Sequence, residues 1–188
     1  MTRRYYVISD LHLEHQKMYQ FTWEDGTPAR PNPFTKQFFS SMEEHDNFLI
    51  AQWNKKVSRD DTVYLLGDVC IHPRGLWKLG QLSGRKILVP GNHDIFPIKD
   101  YLPYFSDIRG YIVKNNIIYS HIPINVESMN RYNMNVHGHT HNFRIKNSVI
   151  EADNLRYYPV SVEHTIDYAP IAIDEIHSFK DKYKLERN

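Results

Sequence analysis

The chain has 188 residues, of which 41% are hydrophobic and 24% are charged, and its formal net charge is +1 at pH 7. This length suits one soluble globular domain, residues 1–188, and is too short for two comfortable ones. The near-neutral charge disfavours an extended nucleic-acid track. It is compatible with a nucleotide substrate, because bound metal ions would add positive charge.

The sequence carries no signal for export or for membrane insertion. Cys70 is the only cysteine, which excludes an intrachain disulfide. The N-terminal segment reaches a charge at Asp10 too soon to form the apolar stretch of a signal peptide. No apolar run approaches the length of a transmembrane helix. We therefore expect a soluble, cytoplasmic protein.

The first half of the chain alternates predicted strands with predicted helices. A Pro-rich loop with strong turn signals is expected over residues 21–35, and Ser41 begins a capping box. The predicted regular elements are strands over residues 4–9, 62–66 and 86–89, a helix from 41 to about 56, and a short helix over 76–82.

The second half is richer in strands. Residues 108–113 and 116–120 are expected to form a hairpin around Lys114-Asn115. Further strands are predicted over 134–137 and 158–162, followed by a last helix over 175–183 that Asp174 would cap. Alternating elements followed by local strand pairing predict an α/β fold of packed layers.

Polar side chains that suit metal binding follow most of the predicted strands. Ligands of open α/β sheets collect at the carboxyl ends of strands, so we expect these side chains to converge. Residues two positions apart on an extended segment project to the same side, which brings each Asp-x-His or His-x-His pair together. Carboxylate, amide and imidazole donors suit Mn²⁺, Fe, Ni²⁺ or Zn²⁺ better than a thiolate site would. The residues are Asp10, His12, Asp68, Asn92, His93, Asp94, His121, His137, His139 and His141.

Five segments carry these residues in a recognisable order. They are Asp10-Leu11-His12, Gly67-Asp68-Val69-Cys70, Gly91-Asn92-His93-Asp94, His121, and Gly138-His139-Thr140-His141. This order resembles the calcineurin-like metallophosphoesterase superfamily, whose pattern is DxH, GDxx, GNH(D/E), a lone H and GHxH. Trp53-Asn54 and the segments before the second and third motifs look like a small bacterial or phage branch. The resemblance implies a four-layer α/β/β/α sandwich of two mixed β-sheets flanked by helices.

The resemblance also implies a role for each motif residue. One divalent metal ion would be bound by Asp10, His12, Asp68 and His141. The other would be bound by Asp68, Asn92, His121 and His139, so that Asp68 bridges both. Mn²⁺ is the preferred metal, with Fe, Ni²⁺ or Zn²⁺ as alternatives. His93 would be catalytic and would protonate the leaving oxygen, and Asp94 would orient it.

These roles predict a dinuclear-metal phosphoester hydrolase, either a phosphodiesterase or a phosphomonoesterase. A hydroxide shared by the two metals would attack phosphorus while the metals stabilise the charge that develops. A small nucleotide-type phosphoester is the preferred substrate, and no membrane partner is expected. The physiological substrate and the oligomeric state stay open at this point.

The sequence disfavours three alternatives to a dinuclear-metal phosphoester hydrolase. A non-catalytic binding protein of the same fold is disfavoured because no ligand or catalytic position departs from the pattern. A nuclease of the same superfamily is disfavoured by the neutral charge, although oligonucleotide and protein phosphoester substrates stay open. An amide or lactone hydrolase is disfavoured because such sites do not usually place an asparagine ligand before a catalytic histidine.

Several residues near the motifs have no assigned role. Glu14 and His15 could line the substrate pocket or lie on the surface, and His137 is expected to support the site or the core. Arg131 and Arg144 could contact substrate phosphate.

Overall fold

The computed structural model describes residues 3–146 and 153–185. Within them, nine β-strands form two sheets, and four α-helices and four short 3₁₀ helices accompany them. The strands are β1 (Tyr5–Ile8), β2 (Thr62–Leu65), β3 (Arg85–Leu88), β4 (Asp107–Ile108), β5 (Ile112–Lys114), β6 (Ile117–Ser120), β7 (Met134–His137), β8 (Tyr157–Pro159) and β9 (Ile171–Ala172). The α-helices are α1 (Met42–Lys56), α2 (Pro73–Leu79), α3 (Ile98–Tyr101) and α4 (Ile173–Lys182).

Both sheets are mixed, as expected. The first has five strands in the order β4-β3-β2-β1-β9, in which β9 alone runs antiparallel to its neighbour. The second has four strands in the order β5-β6-β7-β8, in which β5 is antiparallel to β6 and the other pairs are parallel. Because β1, β2 and β3 are parallel neighbours, the chain leaves all three at the same edge of the sheet.

Two hydrophobic cores hold these layers together. One lies between the first sheet and helices α1, α2 and α3, and it includes the buried Trp53, Leu65 and Leu79. The other lies between the two sheets, where α4 contributes Ile173 and Ile176. The prediction of two mixed sheets with flanking helices is therefore confirmed. None of the described helices has the length and apolar character needed to cross a membrane.

The segment between β6 and β7 covers the outer face of the second sheet. This segment contains a 3₁₀ helix, Val126–Met129, whose Met129 is fully buried. Asn135, in β7, accepts a hydrogen bond from Ile124 N at 2.9 Å, and Tyr157 donates to the Ile124 carbonyl at 2.8 Å. Side chains on the outer face of the sheet thus hold the covering segment through its backbone.

The start of α1 is close to the predicted capping box. Ser41 Oγ accepts a hydrogen bond from Glu44 N at 3.1 Å, which satisfies one of the free N–H groups of the first turn. The Glu44 carboxylate bonds to Ser40 N and Oγ instead of returning to Ser41. At the other end, Asn54 holds the turn before β3 by donating to Gln81 O and accepting from Ser83 N.

Some predicted boundaries are wrong for identifiable physical reasons. Residues 108–113 are not one strand, because β4 pairs with β3 in the first sheet and β5 pairs with β6 in the second. The predicted hairpin is confirmed for β5 and β6 only. Its turn residues Asn115 and Asn116 both have positive φ, which asparagine tolerates well.

Helices α2 and α4 both begin earlier in the chain than expected. Helix α2 starts at Pro73, where proline's fixed φ suits the first helical position and the His72 ring accepts a hydrogen bond from Arg74 N. Helix α4 starts at Ile173, and Asp174 lies inside its first turn instead of capping it. The strand predicted over 158–162 ends at Pro159, and Val162–His164 forms a 3₁₀ helix.

Lys86 is a buried charged residue far from the strand ends where the metal ligands were predicted. It lies near the start of β3, and its Nζ donates to the backbone carbonyls of Leu82 at 2.7 Å and Gly84 at 3.3 Å. Within residues 3–146 and 153–185 no carboxylate pairs with it. Burial lowers the pKa of Lys86 from 10.5 to about 8. The folded protein therefore holds this proton less strongly than the unfolded chain does.

This shift predicts a pH dependence of stability. Between about pH 8 and 10.5 the unfolded chain binds more protons at Lys86 than the folded chain, so stability rises with pH across this window. Lys86→Met removes the titration. We expect the free energy of unfolding of the unmodified protein, minus that of Lys86→Met, to increase as pH rises through the window in urea denaturation. A difference that stays constant or falls would contradict this explanation. So would a difference that rises in the same way for Lys99→Met, which replaces an exposed lysine.

Candidate metal centre

The loops that follow β1, β2 and β3 lie against each other at one edge of the first sheet. Asp10 N donates to the Gly67 carbonyl at 3.0 Å, and His12 N donates to the Asp68 carbonyl at 3.0 Å. The second sheet reaches the same place, since Ser9 N, directly after β1, donates to the carbonyl of Val160, directly after β8, at 3.0 Å. Backbone hydrogen bonds thus bring together segments that lie far apart in the sequence.

Five of the seven predicted metal ligands have a left-handed backbone. Non-glycine residues rarely adopt this conformation, and unfavourable backbone geometry of this kind costs roughly 1–3 kcal/mol per residue. Because several neighbouring residues share this unfavourable conformation, the surrounding hydrogen bonds must hold it in place. Such strained backbone is common at functional sites. The φ values are 59° for Asp10, 50° for His12, 51° for Asp68, 68° for His139 and 47° for His141.

The donor atoms form two overlapping groups. One contains Asp10, His12 and His141, and the other contains Asp10, Asp68 and His121, with the donor atoms of each group within 4.8 Å of one another. His12 Nε2 lies 3.6 Å from Asp68 Oδ2, and His121 Nε2 lies 3.5 Å from Asp68 Oδ1. The two groups share Asp10, and each oxygen of Asp68 lies near a histidine of a different group.

The remaining predicted ligands lie beside the second group. Asn92 Oδ1 is 3.0 Å from His121 Nε2, whose other ring nitrogen lies 2.8 Å from the Leu66 carbonyl. The His139 ring is 5.2 Å from the His121 ring, centroid to centroid. His139 N donates to the carboxylate of Asp10 at 3.1 Å, so its backbone also fixes a predicted ligand.

His12 provides an independent test of whether these residues fit a metal ion. Its side chain is buried, and neither ring nitrogen has a hydrogen-bond partner among the residues described. An imidazole without a partner in a buried site is costly unless another group binds it. Burial, with the charges of Arg30 and His141, lowers the pKa of His12 well below its ordinary value and favours the neutral, metal-binding form. The donor set therefore fits divalent metal ions.

The two predicted catalytic residues lie next to these groups. The exposed ring of His93 is 5.7 Å from the His12 ring, and His93 N donates to Asp68 Oδ1 at 2.9 Å. The Asp94 carboxylate accepts hydrogen bonds from the backbone N–H groups of Asp68, Val69 and Gly91. Among the described residues no hydrogen bond joins it to the His93 ring. Its contacts join the loop that follows β2 to the loop that follows β3, and the orienting role of Asp94 stays a prediction.

Gly67 and Gly91 allow those two loops to approach closely. Gly67 has φ of 77°, and a Cβ there would lie too close to the backbone of Gly91. A Cβ on Gly91 would lie 2.6 Å from Asp68 N and closer still to Asp68 Oδ1. The position of the Asp68 carboxylate therefore depends on the absence of a side chain at residue 91.

A buried ion pair that no sequence motif predicts supports the first donor group. Glu163 Oε1 accepts hydrogen bonds from Arg30 Nε at 2.8 Å and from Arg30 Nη2, and it lies 3.0 Å from His141 Nδ1. Arg30 also donates to the backbone carbonyls of Asp10 at 3.0 Å and Leu11 at 3.3 Å. Burial opposes ionisation of Glu163, but Arg30 and His141 outweigh it and hold the pKa of that carboxyl well below its usual range. A carboxylate behind a metal-binding histidine fixes its ring orientation.

No motif marks Arg30 or Glu163 in the sequence. They are 133 residues apart, and Arg30 lies in the Pro-rich segment expected to be a surface loop. A buried arginine in such a loop is an unusual feature, because arginine is almost never fully buried unless it is paired. Only the folded chain reveals its partner.

The unassigned residues fall into different places. Glu14 is buried and pairs with Lys78, whose Nζ also bonds to Asp46 at 2.7 Å. The His15 ring lies 5.9 Å from the His12 ring, beside the site.

The others lie away from the donor groups or behind them. His137 is fully buried behind the site, and its Nδ1 lies 2.8 Å from the Gly138 carbonyl. Arg144 forms an exposed ion pair with Asp153, and Arg131 is exposed. Cys70 is packed in the first core, and burial raises the pKa of its thiol to about 12.

Replacing the carboxylate behind His141 tests its positioning role. Glu163→Gln keeps the shape but removes the charge that holds both Arg30 and the His141 ring. We expect a loss of about 10- to 100-fold in affinity for Mn²⁺, measured by calorimetric titration, together with lower thermal stability. Glu175→Gln, on the exposed face of α4, is the matched control. Unchanged affinity in a folded Glu163→Gln protein would contradict the positioning role.

Substitution of Gly91 by alanine tests the close approach between residue 91 and Asp68. Gly91→Ala should displace the Asp68 carboxylate and weaken the binding of both metal ions together, as measured by the metal content of the dialysed protein. Gly110→Ala is the control, because a Cβ at Gly110 meets nothing within 4 Å. Equal metal content in the two variants would show that the Asp68 side chain tolerates the intrusion.

Comparison with known proteins identifies the family. A family model described as calcineurin-like phosphoesterase matches residues 3–177. An uncharacterised protein of Methanocaldococcus jannaschii is 28% identical over 189 residues, covering 98% of this chain and 96% of that protein. The gene 66 protein of Mycobacterium phage L5 is 33% identical over 96 residues, covering 47% of this chain and 39% of that protein.

The fold is shared with a solved structure. The crystal structure of a protein of unknown function from Aquifex aeolicus matches with a TM-score of 0.62 at 24% identity, covering 94% of this chain and 99% of that one. The family model spans all five motif segments, and both sheets match the expected architecture. The chain belongs to the calcineurin-like phosphoesterase family.

Proposed function

We propose that this protein is a dinuclear-metal phosphoesterase that hydrolyses small nucleotide-type phosphoesters, as a phosphodiesterase or a phosphomonoesterase. Its family supports metal-dependent phosphoester hydrolysis in general. The observation that carries the more specific proposal is the pair of overlapping donor groups, with the carboxylate of Asp68 between His12 and His121. Such a site can bind two cations close enough to act on one phosphoryl group.

The ligand assignment follows the five motif segments, which make Asp68 the shared ligand, whereas the two observed donor groups share Asp10. When bound, the divalent cations, with Mn²⁺ as the first candidate, would polarise the phosphoryl oxygens and lower the pKa of the attacking water. One cation is assigned to Asp10, His12, Asp68 and His141, and the other to Asp68, Asn92, His121 and His139.

His93 is assigned as the proton donor to the leaving oxygen. Its ring is exposed and lies beside the buried His12 ring, so it can reach a substrate from the solvent side of the donor groups. The hydrogen bond from His93 N to Asp68 Oδ1 ties its backbone to the shared ligand. Through its three backbone contacts, Asp94 keeps the loops of Asp68 and His93 together and acts as a positioning residue.

The surroundings of the site favour a small substrate. A groove of about 340 Å³ beside Asn92 and His121 is open to solvent, and Gly110 and Ile122 form its other walls. The net charge of +1 supplies no broad basic surface for a long polyanion. A nucleotide or dinucleotide is therefore preferred over duplex DNA.

A substrate and metal panel tests the proposal. The protein would be assayed with mono- and diester nucleotides and with aryl phosphate esters, each with Mn²⁺, Ni²⁺, Zn²⁺ or Mg²⁺. We expect turnover with Mn²⁺ and loss of turnover after chelation. Turnover confined to oligonucleotides or phosphoproteins would favour a nuclease or a protein phosphatase. A protein that binds about one metal ion or fewer and hydrolyses no ester would favour a non-catalytic binding role.

The role of His93 can be separated from metal binding. His93→Ala should reduce turnover by about 10²- to 10⁴-fold, because the leaving oxygen would lack its proton donor. Metal content, measured by elemental analysis, should stay the same. His177→Ala, on α4 and away from the donor groups, is the control. Loss of metal in His93→Ala would make His93 a ligand instead.

A further inference from the structure

The segment Phe21–Ala29 forms a short, well-bonded hairpin beside the donor groups. Ala29 N donates to the Phe21 carbonyl at 2.7 Å, and Trp23 N donates to the Thr27 carbonyl at 2.9 Å. At the turn, Asp25 Oδ1 accepts hydrogen bonds from the N–H and the hydroxyl of Thr27. Its backbone is therefore largely satisfied within the hairpin itself.

This hairpin is anchored directly to the donor groups. Arg30, which follows it, is buried and bonds to the carbonyls of Asp10 and Leu11 as well as to Glu163. On the other side, Asn142 Nδ2 donates to the Ala29 carbonyl at 3.0 Å. The hairpin is thus held in place by the same buried ion pair that supports His141.

The anchored hairpin forms the wall of a pocket of about 210 Å³ next to His141. Met18, Phe21 and Trp23 provide its apolar surface, while Arg30 and Glu163 lie at its base and are paired with each other. Phe21 is 44% exposed and Trp23 is 39% exposed. Two large aromatic side chains with this much exposure on an anchored hairpin are not explained by core packing, and such apolar patches commonly mark binding sites.

The pocket is continuous with the donor groups. The Phe21 ring is 5.5 Å from the His15 ring, which in turn is 5.9 Å from the His12 ring. On the far side, the Trp23 ring meets the exposed Phe143 ring at 5.9 Å. Aromatic rings therefore extend from His12 outward to Phe143.

We propose that this pocket binds a flat aromatic group of the phosphoester, either a nucleobase or an aryl ring, while the phosphate lies at the donor groups. The proposal rests on the proposed function and adds the part of the substrate that the chain recognises away from phosphorus. Aromatic side chains stack on flat rings, and the paired charges of Arg30 and Glu163 leave no free charge that would select a charged group instead. Stacking tolerates different bases, so the preference should be for aromatic groups as a class.

A binding experiment tests the pocket without requiring catalysis. Adenosine, cytidine and phenol carry no phosphate, and each would be titrated into the protein and followed by calorimetry. We expect all three to bind, and we expect Phe21→Ala and Trp23→Ala to weaken binding at least about fivefold, the lower range for loss of one stacking contact. Trp77→Ala is the control, since Trp77 is 55% exposed on α2 and does not line the pocket. The two compound types separate nucleobase from aryl recognition.

A kinetic experiment then connects the pocket to turnover. For a nucleoside monophosphate and for p-nitrophenyl phosphate, Trp23→Ala should raise KM about tenfold, while kcat and metal content change little. For glycerol phosphate, which has no aromatic group, the same variant should keep its KM. Trp77→Ala should behave as the unmodified protein with all three.

The outcomes separate the two proposals. If no ester is hydrolysed but nucleosides bind in a manner that depends on Trp23, the proposed function fails and the pocket stands. Failure of adenosine, cytidine and phenol to bind the unmodified protein overturns the pocket. It is also overturned if Trp23→Ala and Trp77→Ala weaken binding equally, or if glycerol phosphate loses as much affinity as the aromatic esters. Dimerisation that is abolished by Trp23→Ala would reassign the surface to a second copy of the chain.

Discussion

The carboxylate of Asp68 is the point on which the rest of the site depends. It follows the central strand β2, and its two oxygens face His12 on one side and His121 on the other. The loops around it are joined by backbone hydrogen bonds and by Asp94, whose carboxylate contacts three N–H groups from two loops. Since this carboxylate lies among so many fixed neighbours, small changes in loop spacing alter the geometry of both donor groups.

The Arg30–Glu163 pair extends this arrangement to the surface. A buried ion pair is a poor source of stability, because the cost of removing both charges from water offsets their attraction. Its value here is geometric. Arg30 connects the hairpin Phe21–Ala29 to the carbonyls of Asp10 and Leu11, and Glu163 connects both to the His141 ring. One ion pair thus couples the donor groups to the pocket wall.

The strained and buried residues of the site depend on both hydrophobic cores. The left-handed residues at the site and the unpartnered His12 are unfavourable, so packing elsewhere must hold them in place. The core between the first sheet and helices α1 and α2 fixes the strand ends of β1 to β3. The core between the sheets fixes the ends of β6 and β7, which supply His121 and the His139–His141 segment. The two cores together hold the two halves of the donor set in register.

The sequence by itself determined the family, the residue types at the strand ends and most of the regular elements. Strand ends followed by Asp, Asn and His are local patterns, and so are the capping serine of α1 and the strands β2 and β7. Local patterns can be recognised in the sequence, so these elements were predicted well. Only the tertiary structure decided that Ile108 and Ile112 belong to different sheets, that the Asp94 carboxylate bonds to two loops, and that Arg30 meets Glu163. These features depend on contacts between residues distant in the sequence, and such contacts follow from how the layers pack, which no local pattern encodes.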